Sequence, residues 1–209
     1  MSTQVMNKTN MKNRIGVRSI VQVGMLGAIA VVLMLFEIPL PFAPAFYEID
    51  FSEVPVLIGT FAIGPLAGAA IELIKILLNF MINGTQTAGV GEVANFLIGC
   101  ALAVPAGLIY RKKKTRKGAI VGMAAGTVFM TAAGCILNAY VLLPAYAVCF
   151  ELPIDSLVAM GTAVNGNITS LFTFVAFAVA PFNLLKGILV SVVVFLIYKK
   201  ISPVFRMNR

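Results

Sequence analysis

The distribution of charge along the chain is the feature that most restricts its fold. Six of the 16 basic residues fall in one seven-residue run, Arg111–Lys117, and a long apolar stretch lies on each side of it. Two further basic groups, within residues 8–18 and 199–209, also border apolar stretches. Basic loops of multi-pass membrane proteins stay in the cytoplasm. The pattern therefore predicts an integral membrane protein and assigns the basic run to the cytoplasmic side.

Composition supports this class. Apolar residues make up 60% of the chain, charged residues only 11%, and the mean hydropathy is +0.97. A soluble domain cannot remove so much apolar surface from water. The net charge of +8 follows the topology pattern, so nucleic-acid binding is not expected. Three cysteines without histidine or a CxxC pair also disfavour zinc and haem sites.

Span length and charge together predict an all-α protein with six transmembrane helices. Residues 54–83 are too long for one crossing and are interrupted by Gly64-Pro65, where proline disfavours a continuous helix. Two crossings by this segment keep both termini and the basic run in the cytoplasm. We expect tails at 1–18 and 201–209 around one membrane domain at 19–200. The predicted spans outside the broken segment are Ser19–Phe36, Val93–Tyr110, Gly118 to about Leu143, and Ala180–Tyr198.

Three segments then face outward: Leu40–Glu53, Asn83–Glu92 and Tyr146–Val179. Within the third, we expect Ser156–Val179 to be a partly helical loop packed on the bundle. The first loop is rich in aromatic residues. Such residues suit either an interfacial belt or a lid that stacks on a flat ligand.

Lys186 is the most informative polar residue. An unpaired lysine within the membrane costs roughly 2.5–3.5 kcal/mol on insertion scales, so it requires either snorkelling to the interface or a polar cavity. Asn183 lies one helical turn earlier on the same face. An amide beside an ammonium suits a ligand edge rich in carbonyls and ring nitrogens.

Other polar residues have competing explanations. Glu72 and Lys75 are three apart and predict a structural intramembrane pair. Glu92 suits a helix start, although the small, polar loop before it could also close over a ligand. Asn95 lies one turn further, and Asn138 is an amide within the fifth span that requires a partner.

Small residues four apart predict close helix packing, either within the bundle or against another membrane subunit. The first span offers the best docking strip, Gly24, Gly27 and Ala28. Motifs for ATP binding and for common hydrolases are absent, so the chain is not expected to be an enzyme.

Several motifs resemble one family in order and spacing: the riboflavin-specific S components (RibU family) of energy-coupling factor (ECF) transporters. They are Phe36–Pro39, Asp50–Pro55, Gly64-Pro65, Glu72–Lys75, Gly91–Phe96, Pro105–Gly107 and Ala180–Gly187. The resemblance implies six helices and capture of riboflavin from outside, with FMN left open as a second ligand and no cofactor. It also implies a cell-membrane complex with an EcfT-type coupling protein, met by the first span, and two cytoplasmic ATPases.

The resemblance further implies a set of ligand contacts. Asn183 and Lys186 would bind the pyrimidine-like edge of the flavin ring. Glu92, Asn95 and Asn138 would be additional ring or ribityl contacts. Leu40, Phe46, Tyr47 and Asp50 would lie in or beside the closing first loop. A stand-alone secondary carrier for a flavin or another heterocycle is the alternative, although no inverted repeat or coupling residue supports it.

Overall fold

The computed structural model describes residues 16–40, 47–85, 87–151 and 153–206, with side chains as far as residue 197. Five helical stretches within these ranges are long and apolar enough to cross a membrane. They are Val17–Met34, Pro65–Asn83, Val90–Lys112, Arg116–Cys149 and Leu171–Ile197. The prediction of a mostly helical membrane protein is therefore confirmed.

Helix α1 (Val17–Met34) is followed by two short antiparallel strands, β1 (Ile38–Pro39) and β2 (Glu48–Ile49). Helix α2 (Glu53–Ala62) and helix α3 (Pro65–Asn83) come next. The break between α2 and α3 lies at Gly64, whose φ of 144° suits glycine, and Pro65 opens α3. The predicted interruption at Gly64-Pro65 is confirmed.

Helix α2 is short and almost entirely buried. Its ten residues extend about 15 Å, half the thickness of the hydrocarbon core of a bilayer. It forms the centre of the main core, where Val56 and Leu57 are inaccessible to solvent. The predicted helix pair is present, but α2 is surrounded by protein and is too short to span alone.

Helix α4 (Val90–Lys112) and helix α5 (Arg116–Leu137) flank the basic run and pack closely together. A Cβ atom on Gly122 would lie 2.7 Å from the carbonyl oxygen of Ala106, and one on Gly126 would clash with the carbonyl oxygen of Leu102. The small residues of α5 therefore serve packing within the chain, as the spacing of glycines predicts.

Two helices run through a proline that was expected to lie at a helix boundary, Pro144 at an end and Pro181 at a start. Helix α5 passes through a π-helical turn, Asn138–Leu142, into α6 (Leu143–Cys149), so the expected end near Leu143 is wrong. After α7 (Ile154–Val164), helix α8 (Leu171–Phe174) passes through a second π-helical turn, Val175–Val179, into α9 (Ala180–Arg206). The last long helix thus begins at Leu171 and not at Ala180.

The same physical reason explains both corrections. A proline ring clashes with the carbonyl four residues earlier in a regular α-helix. Each widened turn ends two residues before a proline, Pro144 or Pro181, and provides the space for its ring. Ser170 caps the start of α8 by accepting a hydrogen bond from the Thr173 backbone N–H.

Candidate ligand-binding site

A cavity of about 750 Å³ opens among the first loop, the start of α4, the two π-helical turns and α9. This volume is typical of small-molecule sites. Seven of the predicted ligand residues line it: Tyr47, Asp50, Glu92, Asn95, Asn138, Asn183 and Lys186. Leu40 instead packs beside the smaller hydrophobic cluster that contains Tyr47, and Phe46 lies outside the described residues.

Asp50 and Lys186 form the charged base of the cavity. Lys186 Nζ donates a 2.8 Å hydrogen bond to Oδ2 of Asp50, and both residues are buried. The other carboxylate oxygen, Oδ1, accepts a 2.7 Å bond from the Ser52 backbone N–H. The lysine side chain is therefore paired inside the protein, and the alternative of snorkelling is wrong.

The charge state of Asp50 follows from this geometry. Burial alone would raise the pKa of the carboxyl group, but the positive charges of Lys186 and Lys75 and the bonds from Lys186 and Ser52 outweigh it. The net shift lowers the pKa below its ordinary value. Asp50 is therefore ionised at neutral pH and forms a true ion pair with Lys186.

Tyr47 and Asn138 join the first loop to the first π-helical turn. The Tyr47 hydroxyl donates a 2.8 Å bond to Oδ1 of Asn138, and Nδ2 of Asn138 donates to the Gly134 carbonyl. Burial raises the pKa of Tyr47, so the hydroxyl keeps its proton. The Tyr47 ring also packs 4.8 Å from that of Phe182. This pairing satisfies the amide that the sequence marked as requiring a partner.

Asn183 reaches the cavity because α5 offers no side chain at Gly134. A Cβ atom on Gly134 would lie 2.7 Å from Nδ2 of Asn183. That nitrogen donates a 2.9 Å bond to the carbonyl of Val179, the last residue of the second π-helical turn. Close approach of α5 and α9 thus places Asn138 and Asn183 on the same cavity wall.

The segment before α4 forms another wall. Thr85 Oγ1 accepts from the backbone N–H of Gly89 at 2.9 Å and donates to Oε2 of Glu92 at 3.1 Å. Gly89 has a φ of 90°, a left-handed conformation that favours glycine. Glu92 lies in the first turn of α4, as the sequence predicts, and it also lines the cavity.

Three acidic residues of the cavity lining were not predicted as ligand contacts: Glu37, Glu48 and Glu53. The side chains of Glu37 and Glu48 hydrogen-bond to each other. Burial, the bond to Glu48 and the negative charges of Glu48 and Asp50 raise the pKa of Glu37 to about 7. Only folding brings residues 11 positions apart into this contact, because the strands of β1 and β2 pair.

Other lining residues were also missed: Asn79, Asn83, Thr87, Tyr146 and Phe182. Asn79 and Asn83 are four apart, and Nδ2 of Asn83 donates to Oδ1 of Asn79 at 2.9 Å. Two asparagines four apart near the outer end of an apolar helix lie on one face, and this spacing could have predicted a polar wall.

Behind the cavity lies a buried charged cluster centred on Lys75. Its Nζ lies 2.7 Å from Oε1 of Glu72 and 2.7 Å from Oε1 of Glu53. The predicted Glu72–Lys75 pair is therefore confirmed, and Glu53 of α2 is an additional partner. In the part of the chain that the structure describes, no cluster of residues suited to a metal ion is found.

The predicted docking strip of α1 is partly exposed and partly buried inside the chain. Gly24 and Ala28 are exposed, and nothing lies within 4 Å of a Cβ atom placed on Gly24. Gly27 is buried, and a Cβ atom there would lie 2.6 Å from Cγ2 of Ile74. Gly27 therefore packs against α3 and does not belong to the exposed strip.

The sequence matches one protein family, described as "ECF transporter, substrate-specific component", over residues 18–198. The chain belongs to this family. Membership confirms that this substrate-specific component is a transport protein of the membrane and not an enzyme.

Relatives are similar over nearly their whole length. This substrate-specific component is 39% identical to the riboflavin transporter FmnP of Bacillus subtilis (strain 168) over 194 residues, covering 92% of this chain and 96% of the relative. It is 35% identical to the riboflavin transporter RibU of Staphylococcus aureus (strain TCH60) over 195 residues, covering 93% and 94% respectively.

A solved structure, reported as "Structure and mechanism of the S component of a bacterial ECF transporter", has a similar fold. The TM-score is 0.70 at 35% sequence identity, and the similarity covers 89% of this chain and 96% of that one. The fold expected for an S component is therefore confirmed at the level of the helical membrane domain.

Proposed function

We propose that this substrate-specific component binds riboflavin from outside the cell and delivers it to the rest of an ECF transporter. The observation that carries the proposal is the cavity, in which buried amides, one ion pair and aromatic rings converge. Its relatives are named riboflavin transporters. The cavity offers hydrogen bonds for a polar ring edge and apolar faces for a flat ring system.

The side chains divide into two groups by chemistry. Asn183 and Lys186 bind the carbonyl and nitrogen edge of the isoalloxazine ring, while the adjoining rings of Tyr47 and Phe182 pack against one of its faces. The ribityl hydroxyls, which both donate and accept, are bound by the more polar wall. That wall comprises Asp50, Glu92, Asn95 and Asn138, and Leu40 and Phe46 belong to the loop that closes over the ligand.

The charge of the cavity favours riboflavin over FMN. Five carboxylates line it (Glu37, Glu48, Asp50, Glu53 and Glu92), and Lys186 is the single basic residue among the described lining residues. Lys186 is already paired with Asp50. A phosphate group of charge near −2 therefore meets net repulsion, and FMN binds more weakly.

The assembly follows from the family and the charge pattern. The charge pattern supports six crossings with both termini in the cytoplasm, if the short, enclosed α2 is counted as one of them. The membrane domain is then 19–200, between cytoplasmic tails at 1–18 and 201–209. In the cell membrane, the exposed Gly24 and Ala28 of α1 meet an EcfT-type coupling protein, and two cytoplasmic ATPases supply the energy. Small, exposed residues allow close helix contact in lipid.

A spectrum and a titration test the proposal. The protein, purified in detergent from cells grown with riboflavin, should show the visible absorption of bound flavin. After the flavin is removed, the protein should quench the fluorescence of added riboflavin, and FMN should bind with lower affinity. A colourless protein that does not quench riboflavin fluorescence would contradict the proposed ligand.

The effect of charge on specificity is tested separately. The double variant Glu37→Gln, Glu48→Gln should narrow the difference in affinity between riboflavin and FMN. The matched control, Asp155→Asn, removes an exposed carboxylate outside the cavity and should leave the difference unchanged. If the double variant kept the wild-type difference in affinity between riboflavin and FMN, Glu37 and Glu48 would not determine the preference for riboflavin.

A further inference from the structure

A continuous chain of polar contacts links the cavity to the interior of the helix bundle. It runs from Lys186 to Asp50, from Asp50 to Ser52, and from Ser52 to Lys75. Lys75 does not line the cavity, but Asp50 and Lys186 do. The chain therefore connects a residue outside the cavity lining to the ion pair at its base.

Lys75 makes three polar contacts, two of which hold the beginning of α2. Its Nζ donates to Oγ of Ser52 at 3.2 Å and to Oε1 of Glu53 at 2.7 Å, and it lies 2.7 Å from Oε1 of Glu72. The ammonium group thus donates hydrogen bonds to Ser52 and Glu53 and forms an ion pair with Glu72. All four residues are at most 1% exposed.

The cluster is rigid because it is buried and enclosed. A Cβ atom on Gly99 would clash with the Glu72 carboxylate, which is therefore held between α3 and α4. Breaking a buried ion pair leaves a charge without compensation, so the arrangement strongly resists displacement. Lys75 thus fixes Ser52 and Glu53 relative to two long helices.

Asp50 depends on this anchor. It lies two residues before Ser52, and its Oδ1 accepts the Ser52 backbone N–H at 2.7 Å, a local turn that ties the carboxylate to the backbone. The position of Ser52 therefore determines where Asp50 meets Lys186. Removal of Lys75 frees the start of α2 and allows Asp50 to move.

We propose that Lys75 is a positioning residue for the binding site: through Ser52 and Glu53 it holds Asp50 against Lys186 in the geometry that binds the ligand. This rests on the proposed function, because the ligand used to test it is riboflavin. Lys75 acts through the ion pair and does not touch the ligand.

The binding experiment compares variants in a riboflavin titration. Lys75→Met should lower affinity at least tenfold, which corresponds to about 1.4 kcal/mol. Ser52→Ala, which removes one acceptor and is expected to fold, should lower it about threefold. The control Thr60→Ala changes another buried residue of α2, whose hydroxyl donates to the Val56 carbonyl within the same helix, and it should leave affinity within twofold.

A double-mutant cycle separates positioning from a general loss of stability. In a protein that already carries Asp50→Asn, adding Lys75→Met or Ser52→Ala should lower riboflavin affinity by less than a further twofold. The reason is that the effects of substitutions at coupled residues do not add. The proposal would be overturned if each substitution lowered affinity as much in the Asp50→Asn protein as in the wild type. It would also be overturned if both folded single variants bound riboflavin with wild-type affinity.

A readout without ligand keeps this test distinct from that of the proposed function. The native cysteines are first replaced, and spin labels are then attached at positions 38 and 184, on β1 and α9. Ile38 and Leu184 are both exposed, and the distance between the two labels is measured without ligand. Lys75→Met should broaden the distribution of distances between the labels, and Thr60→Ala should not. Failure of wild-type protein to bind riboflavin contradicts the proposed function, whereas an unchanged distribution contradicts the role of Lys75.

Discussion

The carboxylate of Asp50 and the ammonium of Lys186 lie 2.8 Å apart, although 136 positions separate them in the chain. This pair joins the first loop to the last helix at the base of the cavity. We propose that it stabilises the fold and also presents charged hydrogen-bonding groups to the ligand. The two roles can be separated by experiment.

Lys186→Met should lower both the thermal unfolding temperature and the riboflavin affinity, because Asp50 is left buried and unpaired. The double variant Asp50→Asn, Lys186→Met should recover part of the stability but none of the affinity. Thermal unfolding in detergent and fluorescence titration measure the two quantities. Lys114→Ala, in the exposed basic run, is the control. Recovery of affinity in the double variant would show that the pair is only structural.

Tyr47→Phe should weaken riboflavin binding about fivefold, because a neutral hydrogen bond contributes roughly 1 kcal/mol. The loss should be seen mainly as faster dissociation, since the Tyr47–Asn138 bond holds the first loop to the first π-helical turn. Stopped-flow fluorescence measures the rate. Tyr140→Phe removes a hydroxyl from a residue that is 79% exposed and should have no effect. Equal dissociation rates for Tyr47→Phe and wild type would exclude this role of the loop contact.

The pKa of Glu37, raised to about 7, makes stability depend on pH. Between the ordinary value near 4.5 and about 7, the folded protein binds more protons at this site than the unfolded chain does. Stability should therefore fall as pH rises through this window. Glu37→Gln should flatten that part of the profile of unfolding temperature against pH, whereas Asp155→Asn should not. A profile unchanged by Glu37→Gln would contradict the raised pKa.

Gly134→Ala should reduce riboflavin affinity, because the added methyl group would displace the Asn183 amide from its place against α5. We expect riboflavin affinity to fall at least fivefold, with a smaller effect on the stability of the protein without ligand. The control is Gly166→Ala, where nothing lies within 4 Å of an added Cβ atom. Titration with riboflavin measures both variants. Wild-type affinity in Gly134→Ala would indicate that Asn183 can move without loss of binding.

Several features of the fold and the site could be read from the sequence. The interruption at Gly64-Pro65 was predictable because proline and glycine act on the local backbone. The importance of Lys186 was predictable because a charge within an apolar span requires compensation. The partner of Lys186 was not, since Asp50 lies in a distant loop whose position depends on Lys75 and Ser52.

The helix ends at Pro144 and Pro181 show a second limit. Each proline predicts a boundary, yet a π-helical turn carries the helix past it. A widened turn accommodates about one extra residue, which rotates the following residues by about 100° around the helix axis. Such a rotation changes which side chains meet the cavity, and local propensity does not reveal it.

The sequence by itself determined the membrane class, the approximate positions of the long helices and the residues whose polarity demands an explanation. These depend on hydropathy, charge and backbone restrictions, which act over one or two helical turns. Only the tertiary structure decided that Asp50 pairs with Lys186, that Lys75 binds Glu53 of α2, and that Gly27 packs inside the chain. These contacts depend on the rotation and close approach of helices far apart in sequence.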